Sequence, residues 1–381
     1  MKKINTPITI LEFGSAALRM LIYDRTLLNQ NFFYEKKINY FRSQNLASVE
    51  KLKNLVIEAE KDIEKHLNEI SIIIDSSSIN SLDLSIQKTY DKKIITNKEI
   101  DYLINECKNL IKLNYLEKEI LNTLKSKIVF DDKDIDNFEN ISTEASKITI
   151  QVKFIMINKN ICDYLRNLFL KKQIVLKNIY CASYIKSLGI INKINISGYS
   201  SFIDIGLNKS CLTIFKDDKL KYINSIYIGG NHITKDISKV LNVDYRKAES
   251  LKLKFSKLNK LKIYKKNDDL LTKIINSRLE EIIELLFLDC HIIKKDQILD
   301  FGLKLFFTGN GSNVLNENLL SFGPEFNFIN EMSIINEKNR DCCDSAIKFN
   351  NINNNEPTDT TKIYGENSGF FEKLFNYFNK N

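Results

Sequence analysis

Two short stretches of the chain have the residue types and spacing of phosphate-binding turns. In each, an apolar run ends in a carboxylate that is followed two residues later by a glycine: Glu12 precedes Gly14, and Asp204 precedes Gly206. A glycine at such a corner lets backbone N–H groups approach phosphate oxygens, and a nearby carboxylate can hold Mg²⁺ through water. Taken alone, one such turn is more often a plain hairpin.

The two stretches align with each other without a gap. When Glu12 is placed on Asp204, Ile22 falls on Ile214, and both sequences read as strand, turn and strand. Two like units, one opening each half of the chain, predict a duplicated fold. Such a fold would clamp one phosphate-bearing ligand between its halves.

The second turn lies within a run of three predicted strands, because β-branched residues alternate there and Gly- and Asp-rich breaks separate them. A Gly229-Gly230 pair then leads into helical spacing from Ile233. Upstream, strand–helix–strand–helix spacing is typical of a parallel α/β fold, and Gly189 is expected to end the last helix. The predicted strands lie at 153–157, 174–179, 202–205, 210–215 and 220–228, and the helices at 160–171 and 182–188.

The first turn is followed by a predicted strand at 31–41, a helix at 48–70 and a strand at 71–74. Residues 79–151 show the least regular pattern. A helix is expected there from Thr96 or Asn97 to about Leu113, because both residues favour N-caps and Glu99 lies in the first turn. The remaining predictions are a solvated loop at 131–136, a basic extended segment at 258–266, an amphipathic helix at 268–293 and a strand at 303–307.

The order of these motifs resembles FtsA, the actin-like bacterial cell-division family. The resemblance covers nearly the whole chain and implies an α/β fold: an actin-like ATPase fold (ribonuclease-H-like, duplicated) with a small inserted α/β subdomain of the FtsA/SHS2 type. Its motifs are LEFGS at 11–15, DIG at 204–206, IGGNHITKDI at 228–237, KAESLK at 247–252 and FTGNGSNVL at 307–315.

The resemblance further implies ATP and Mg²⁺ in a cleft between the halves, with Asp204 holding the metal through water. ATP would act as a conformational ligand with at most slow hydrolysis, and no catalytic residue is assigned. Glu249 and Lys252 would face the nucleoside, although their spacing alone favours a surface ion pair. The implied nucleotide-binding residues are Gly14, Ser15, Ala16, Asp204, Gly206, Gly229, Gly230, Glu249, Lys252, Gly309, Asn310 and Gly311.

The second turn departs from the family pattern. After residue 206 the family has further glycines and a Thr, whereas this chain has Leu207, Asn208 and Lys209. A side chain at 207 or 208 would crowd the γ-phosphate, while Lys209 would add a favourable charge. Asn310 also replaces a family glycine. A degenerate cleft that no longer binds nucleotide is therefore one alternative.

The resemblance implies six segments. Residues 1–70 with 152–192 would form a first actin-like subdomain (1A), and 193–232 with 301–348 a second (2A). The inserted subdomain (1C) would span 71–151 and subdomain 2B would span 233–300. A polar, Asn-rich linker is expected at 349–367, and an amphipathic membrane-targeting helix at 368–381.

The carboxy-terminal helix would place five apolar side chains on one face, with charged and amide side chains opposite. A docked helix is the alternative, but interfacial insertion fits the pattern better, since each buried Phe contributes about 1.5–3 kcal/mol before ordering costs. Binding of one tail should be weak, and a filament that presents many tails should bind much more tightly. The apolar residues are Phe370, Phe371, Leu374, Phe375 and Phe378.

Composition restricts the possible partners. The formal charge of +8 is spread among interleaved acids and bases without a nucleic-acid motif, so no nucleic acid is expected. The seven Cys and three His lack metal-site spacing, and no apolar run is long enough to span a bilayer. We expect no signal peptide.

The resemblance implies four partners: the FtsZ C-terminal tail, other copies of the chain, anionic lipid and later division proteins. It places the chain at the division site, on the cytoplasmic face of the inner membrane. Two rivals share the fold, a PilM-like adaptor and a small-molecule kinase.

Overall fold

The computed structural model describes residues 7–23, 31–38, 46–135, 141–260, 269–288, 290–295, 302–315 and 326–353. Residues 1–346 form one compact unit; of the second, 347–381, only the end of one helix is described. The predicted membrane helix at 368–381 and the linker beyond residue 353 lie outside the described residues. No described helix is long and apolar enough to cross a membrane.

The described elements alternate between strands and helices along most of the chain. In chain order they are β1 (Ile8–Phe13), β2 (Ala17–Tyr23), β3 (Asn31–Lys37), α1 (Leu46–Ile63), β4 (Glu69–Ile74), β5 (Asn80–Thr96), α2 (Asn97–Asn114), β6 (Lys118–Phe130), β7 (Lys133–Ile135), β8 (Ser142–Asn158), α3 (Lys159–Leu170), β9 (Val175–Cys181), α4 (Ala182–Ile194), β10 (Tyr199–Ile205), β11 (Ser210–Lys216), β12 (Lys219–Ile226), α5 (Gly230–Val240), α6 (Tyr245–Lys260), α7 (Asp269–Phe287), α8 (Ile292–Lys295), β13 (Leu303–Thr308), a 3₁₀ helix (Asn310–Val314), β14 (Ile329–Ile334) and α9 (Asp341–Asn353).

Two five-stranded sheets have the same topology. The first has the order β3-β2-β1-β4-β9 and the second β12-β11-β10-β13-β14. In each, three strands form an antiparallel meander and the other two add in parallel beside its first strand. The predicted duplication of the fold is confirmed.

The two predicted corners are also equivalent in register. Glu12 pairs with Arg19 across β1 and β2, as Asp204 pairs with Cys211 across β10 and β11. The amide of Gly14 donates to Ala17 O at 3.1 Å, and that of Gly206 donates to Lys209 O at 2.9 Å. Both hairpins therefore close through the same backbone hydrogen bond.

The inserted region is more regular than its sequence indicates. Its strands form an antiparallel sheet of order β5-β8-β6-β7, whose buried core includes Leu103 of α2 and Phe154 of β8. The expectation of an irregular region was wrong, and so was that of a loop over the described residues 131–135, because β7 pairs with β6 after a turn at Asp131–Asp132. Helix α2 begins as predicted, after an N-cap at Thr96.

The predicted boundary at residue 71 divides strand β4, which lies wholly in the first sheet. The inserted sheet itself begins at Asn80.

Helix α6 continues to Lys260, so the predicted extended segment at 258–266 begins inside a helix. The helix expected at 268–293 is interrupted, with α7 ending at Phe287 and α8 starting at Ile292.

Gly189 does not end helix α4, contrary to the sequence prediction. The helix continues to Ile194 and ends at Asn195, which has the left-handed φ of 48°. A Cβ on Gly189 would lie 2.0 Å from Ser345 Oγ and 2.8 Å from Ser345 Cβ. The glycine therefore allows α4 to pack closely against the first turns of α9.

A methyl group at residue 189 should destabilise the protein. We expect Gly189→Ala to lower the free energy of unfolding by about 1–3 kcal/mol, the usual cost of overpacking, despite the better helix propensity of Ala. Chemical denaturation followed by circular dichroism measures the change. In a Ser345→Gly background the cost should shrink, and an equal cost in both backgrounds would contradict the proposed contact.

Candidate functional site

The two corners line one cavity of about 320 Å³ within the compact unit. Residues from β1, β10, α5, α6 and the turn after β13 surround it. The lining residues that the sequence singled out are Gly14, Ser15, Ala16, Asp204, Gly206, Gly230, Glu249, Lys252, Gly309, Asn310 and Gly311. Residues separated by nearly 300 positions in sequence are thus brought to one site.

Gly229 is the predicted site residue that does not line the cavity. A Cβ on it would lie 2.7 Å from both Gly206 O and Lys209 N, so it packs against the outside of the second corner. The next amide, of Gly230, donates to Gly206 O at 2.9 Å. These contacts attach the start of α5 to the corner.

The turn after β13 also lies against the end of β10. Gly309 has a φ of 81°, and a Cβ on it would lie 2.3 Å from Asp204 Oδ1. A Cβ on Gly311 would lie 2.4 Å from Ile205 Cγ2. Both residues must be glycine because a Cβ would clash with the end of β10, and Gly309 also has a positive φ that favours glycine.

Glu249 and Lys252 do not form the surface ion pair that their spacing favours. The Lys252 side chain is buried, and its Nζ lies 2.8 Å from Glu249 Oε2. The same ammonium donates to Gly230 O at 2.9 Å and to Thr234 Oγ1 at 2.7 Å. Burial lowers the pKa of Lys252, while Glu249 opposes that change. The pair therefore joins α5 to α6 at the wall of the cavity.

Lys186 on α4 connects the second corner to the loop after β14. Its Nζ lies 2.9 Å from Asp204 Oδ1 and 3.1 Å from Glu337 Oε2. Burial alone would lower the pKa of Lys186, but the two carboxylates raise it well above its ordinary value. Burial raises the pKa of Glu337, whose Oε2 also accepts the Gly309 amide at 2.9 Å.

Sequence reasoning missed both Lys186 and Glu337. Lys186 lies within a predicted apolar helix, and a lysine there could have signalled a buried charge, but its partners are distant in sequence. Glu337 lies in a loop without regular spacing. Neither residue belongs to a motif, so local sequence patterns gave no reason to expect that the two side chains interact.

The first corner has its own buried ion network. Arg19 lies between Glu12 and Glu35, with nitrogen–oxygen distances of 2.9 Å to each. Glu12 Oε2 is buried and has no hydrogen-bond partner within the described part of the chain. Burial raises the pKa of Glu12, although Arg19 and Lys186 oppose that rise.

Asp75 and Lys209 carry opposite charges and both line the cavity. Asp75 Oδ1 accepts hydrogen bonds from the amide and hydroxyl of Ser183 at 3.2 and 3.0 Å. Burial raises the pKa of Asp75 and lowers that of Lys209, and their mutual attraction opposes both changes. Lys209 lines the cavity, so the predicted cation at the second corner is present.

The side chains after the second corner divide between two roles. Leu207 lines the cavity, whereas buried Asn208 accepts a hydrogen bond from Asn231 Nδ2 at 3.2 Å. Of the two positions expected to crowd a phosphate, residue 207 is therefore the one at the cavity.

The cavity fits a nucleotide better than it fits a magnesium ion. Two glycine corners, a glycine-rich turn and several cations suit a polyphosphate. Asp204 Oδ1 already accepts a hydrogen bond from Lys186 at 2.9 Å, and the described residues hold no group of three or more His, Cys, Asp or Glu arranged for a metal. The donor set does not fit the predicted role of Asp204 toward Mg²⁺.

The buried Glu12 should make stability depend on pH. Its folded-state pKa lies above its ordinary value of 4.5, so the folded protein holds a proton that the unfolded chain releases. This contribution is present below about pH 4.5 and is lost as the pH rises through the folded-state pKa. Relative to the wild type, Glu12→Gln should therefore gain in melting temperature as the pH rises toward neutrality.

Melting scans without nucleotide at a series of pH values measure this difference. The control Gln87→Asn changes an exposed amide on β5 and should follow the wild type at every pH. A difference between Glu12→Gln and wild type that is constant with pH would contradict the raised pKa.

Comparison with known proteins finds similarity to one family. A family model described as Cell division protein FtsA matches residues 201–288. Cell division protein FtsA of Helicobacter pylori is 22% identical over 166 residues, which cover 44% of this chain and 33% of that protein. The match thus spans about a third of the relative's length.

Solved structures give the fold. A chain of the PilM–PilN type IV pilus biogenesis complex has a TM-score of 0.57 at 14% identity, with 87% of this chain and 89% of that chain covered. MreB5 of Spiroplasma citri bound to ADP has a TM-score of 0.52 at 12% identity, with 92% and 98% covered. At these identities the likeness shows the actin-like ATPase fold. The resemblance predicted from the motifs is confirmed: the chain is similar to Cell division protein FtsA, whose family model matches residues 201–288, and it has the actin-like ATPase fold.

Proposed function

We propose that this chain is an ATP-binding, self-associating division protein that tethers FtsZ filaments to the cytoplasmic face of the inner membrane. The observation that carries the nucleotide part is the cavity itself. Both glycine corners of the duplicated fold and the glycine-rich turn at 309–311 line it. A fold neighbour that was solved with bound ADP supports a nucleotide as the ligand.

The proposed binding mode divides the cavity into two ends. At the phosphate end, the corners at Gly14 and Gly206 would present backbone amides, and Lys209 would add a positive charge. At the nucleoside end, the buried pair of Glu249 and Lys252 would face the ribose or base. The ligand would contact both halves of the fold, so it would favour the conformation that self-associates.

The FtsZ-binding part of the proposal rests on the family resemblance. Subdomain 2B is the proposed site, and its helices are held together by Arg278. The guanidinium donates to both oxygens of Asp236, at 2.6 and 3.0 Å, and also contacts Glu281 on its own helix. This pairing fixes α7 against α5, which would give a docking peptide a rigid surface.

The membrane part rests on the sequence of residues 368–381. A polar linker followed by an apolar helical face has the pattern of a reversible interfacial anchor. Because one short tail binds weakly, self-association would control attachment by multiplying the number of tails. Later division proteins are proposed as further partners on the same family resemblance.

A bulky side chain in the cavity should abolish nucleotide binding. Ala16 is exposed and lines the cavity, so Ala16→Trp would fill space there without disturbing the core. We expect ATP affinity to fall at least about tenfold, or about 1.4 kcal/mol, in titrations of the full chain with a fluorescent ATP analogue.

The matched control for this titration is Ser85→Trp, which adds the same group at an exposed position on β5, away from the cavity. It should bind like the wild type. Unchanged affinity in Ala16→Trp would reject the cavity as the site, and no binding by the wild type would favour the degenerate-cleft alternative. Rapid ATP turnover with a small acceptor would favour a kinase.

The apolar face of the terminal helix should be required for lipid binding. We expect Phe371→Asp combined with Phe375→Asp to lose co-sedimentation with anionic liposomes, because the charges oppose insertion. The control, Asn376→Asp with Asn379→Asp, adds the same charge on the polar face and should retain most binding. Equal losses would show that charge alone controls attachment.

The same sedimentation assay tests the FtsZ link. FtsZ filaments should pellet with liposomes only when the chain is present, and more completely with ATP. Retention of an FtsZ C-terminal peptide on the immobilised chain distinguishes this role from that of a PilM-like adaptor. Failure to retain the peptide would contradict the tethering proposal.

A further inference from the structure

A positively charged side chain lies where the second corner would need a cation. Lys186 comes from α4, and its Nζ lies at hydrogen-bond distance from Asp204 Oδ1 and near Glu337 Oε2. In a phosphate site, a carboxylate at this corner would hold a divalent ion through water. Here an ammonium group that belongs to the chain itself is in direct contact with that carboxylate.

The ammonium can also reach a bound ligand. A lysine ammonium has three N–H donors, and the two carboxylates account for two of them. Lys186 lines the cavity, so the remaining donor can point to a phosphate oxygen. Lys209 lines the same part of the cavity from the loop after β10, which provides a second ammonium at this corner.

Lys186 is held firmly in this position. The helix that carries it is fixed on both sides, because Ser183 donates to Asp75 and the hydroxyl of Ser187 lies 2.8 Å from Thr213 Oγ1. The side chain is only 13% exposed, and withdrawing it would leave the partly buried Asp204 and Glu337 without their cation. Such uncompensated charges are strongly unfavourable.

A divalent ion at the same corner would meet this fixed charge. An ion near Asp204 would stand beside the Lys186 ammonium, in a buried environment where repulsion between like charges is poorly screened. The ion would also have to share Asp204 with an existing hydrogen bond. Both effects disfavour the metal-bound form of the nucleotide relative to the free form.

We propose that Lys186 takes the place of the divalent cation at the second corner, so that the cleft binds its nucleoside triphosphate without a metal. This inference rests on the proposed nucleotide-binding function. Asp204 then acts as a positioning residue that holds the ammonium toward the phosphates. Lys186 would supply one of the charges that a magnesium ion provides elsewhere, and Lys209 another.

The dependence of affinity on metal tests the proposal with the wild-type chain alone. The full chain is titrated with a non-hydrolysable ATP analogue, first in EDTA and then at increasing Mg²⁺ concentration. We expect the dissociation constant in EDTA to be equal to or lower than that in excess Mg²⁺. Affinity that is more than tenfold weaker in EDTA would overturn the inference while leaving the nucleotide-binding function intact.

The variant Lys186→Met tests the residue itself. It retains the length of the side chain and removes the charge, so binding in EDTA should weaken at least tenfold. Mg²⁺ should then restore part of the affinity, because Asp204 is free to hold the ion. The control Lys193→Met lies on the same helix, in an exposed pair with Asp341, and should bind like the wild type in both conditions.

The outcomes separate the two proposals. Wild-type affinity of Lys186→Met in EDTA would overturn the role of Lys186. Absence of binding with and without Mg²⁺ would refute the nucleotide-binding function itself. If Lys186→Met does not fold, the metal dependence of the wild type still decides between metal-free and metal-bound nucleotide.

Discussion

The contact of Lys186 with two partly buried carboxylates joins three parts of the chain that are far apart in sequence. It connects α4, the end of β10 and the loop after β14 at the second hairpin corner. Buried ion pairs of this kind add little net stability, because desolvation of the charges offsets their attraction. Removing one partner would leave the remaining charges without their counter-charge, which is unfavourable. The contact therefore constrains how α4 and the loop after β14 lie against the second corner.

The duplicated topology explains why such a contact is needed. Each half buries its own sheet and places its corner at the same end of its first strand. Nothing in the packing of either half alone determines how the corners face each other. That relation is set by α4, which follows the last strand of the first sheet and packs on the second, and by the polar side chains it carries. Acids and bases in the cleft are therefore paired across elements, as in Lys186 with Asp204 and Glu337.

The parts of the fold that the sequence predicts well are local. The glycine corners and the capped start of α2 depend on residues within a few positions of each other, and their backbone requirements can be read directly. Gly189 was misassigned because a glycine after an apolar helical run fits either a helix end or a close contact with another helix, and only the position of Ser345 distinguishes the two. The resemblance implied an inserted α/β subdomain, but its individual strands were not predicted from the sequence pattern. The contact between Lys186 and Glu337 could not be predicted from the sequence, since only the tertiary fold brings these residues together.

The arrangement of charges also limits what a nucleotide can do in this cleft. Asp204, Glu12 and Asp75 each have a cationic neighbour or a hydrogen-bond donor within the chain. A ligand that spans the cavity can contact both corners at once. It shifts the equilibrium between two conformations of the chain only by the difference in its affinity for those two conformations. A nucleotide bound there would contact both halves of the fold. Under the proposed function, coupling of this contact to self-association would bring more of the proposed terminal helices to the membrane and so strengthen attachment.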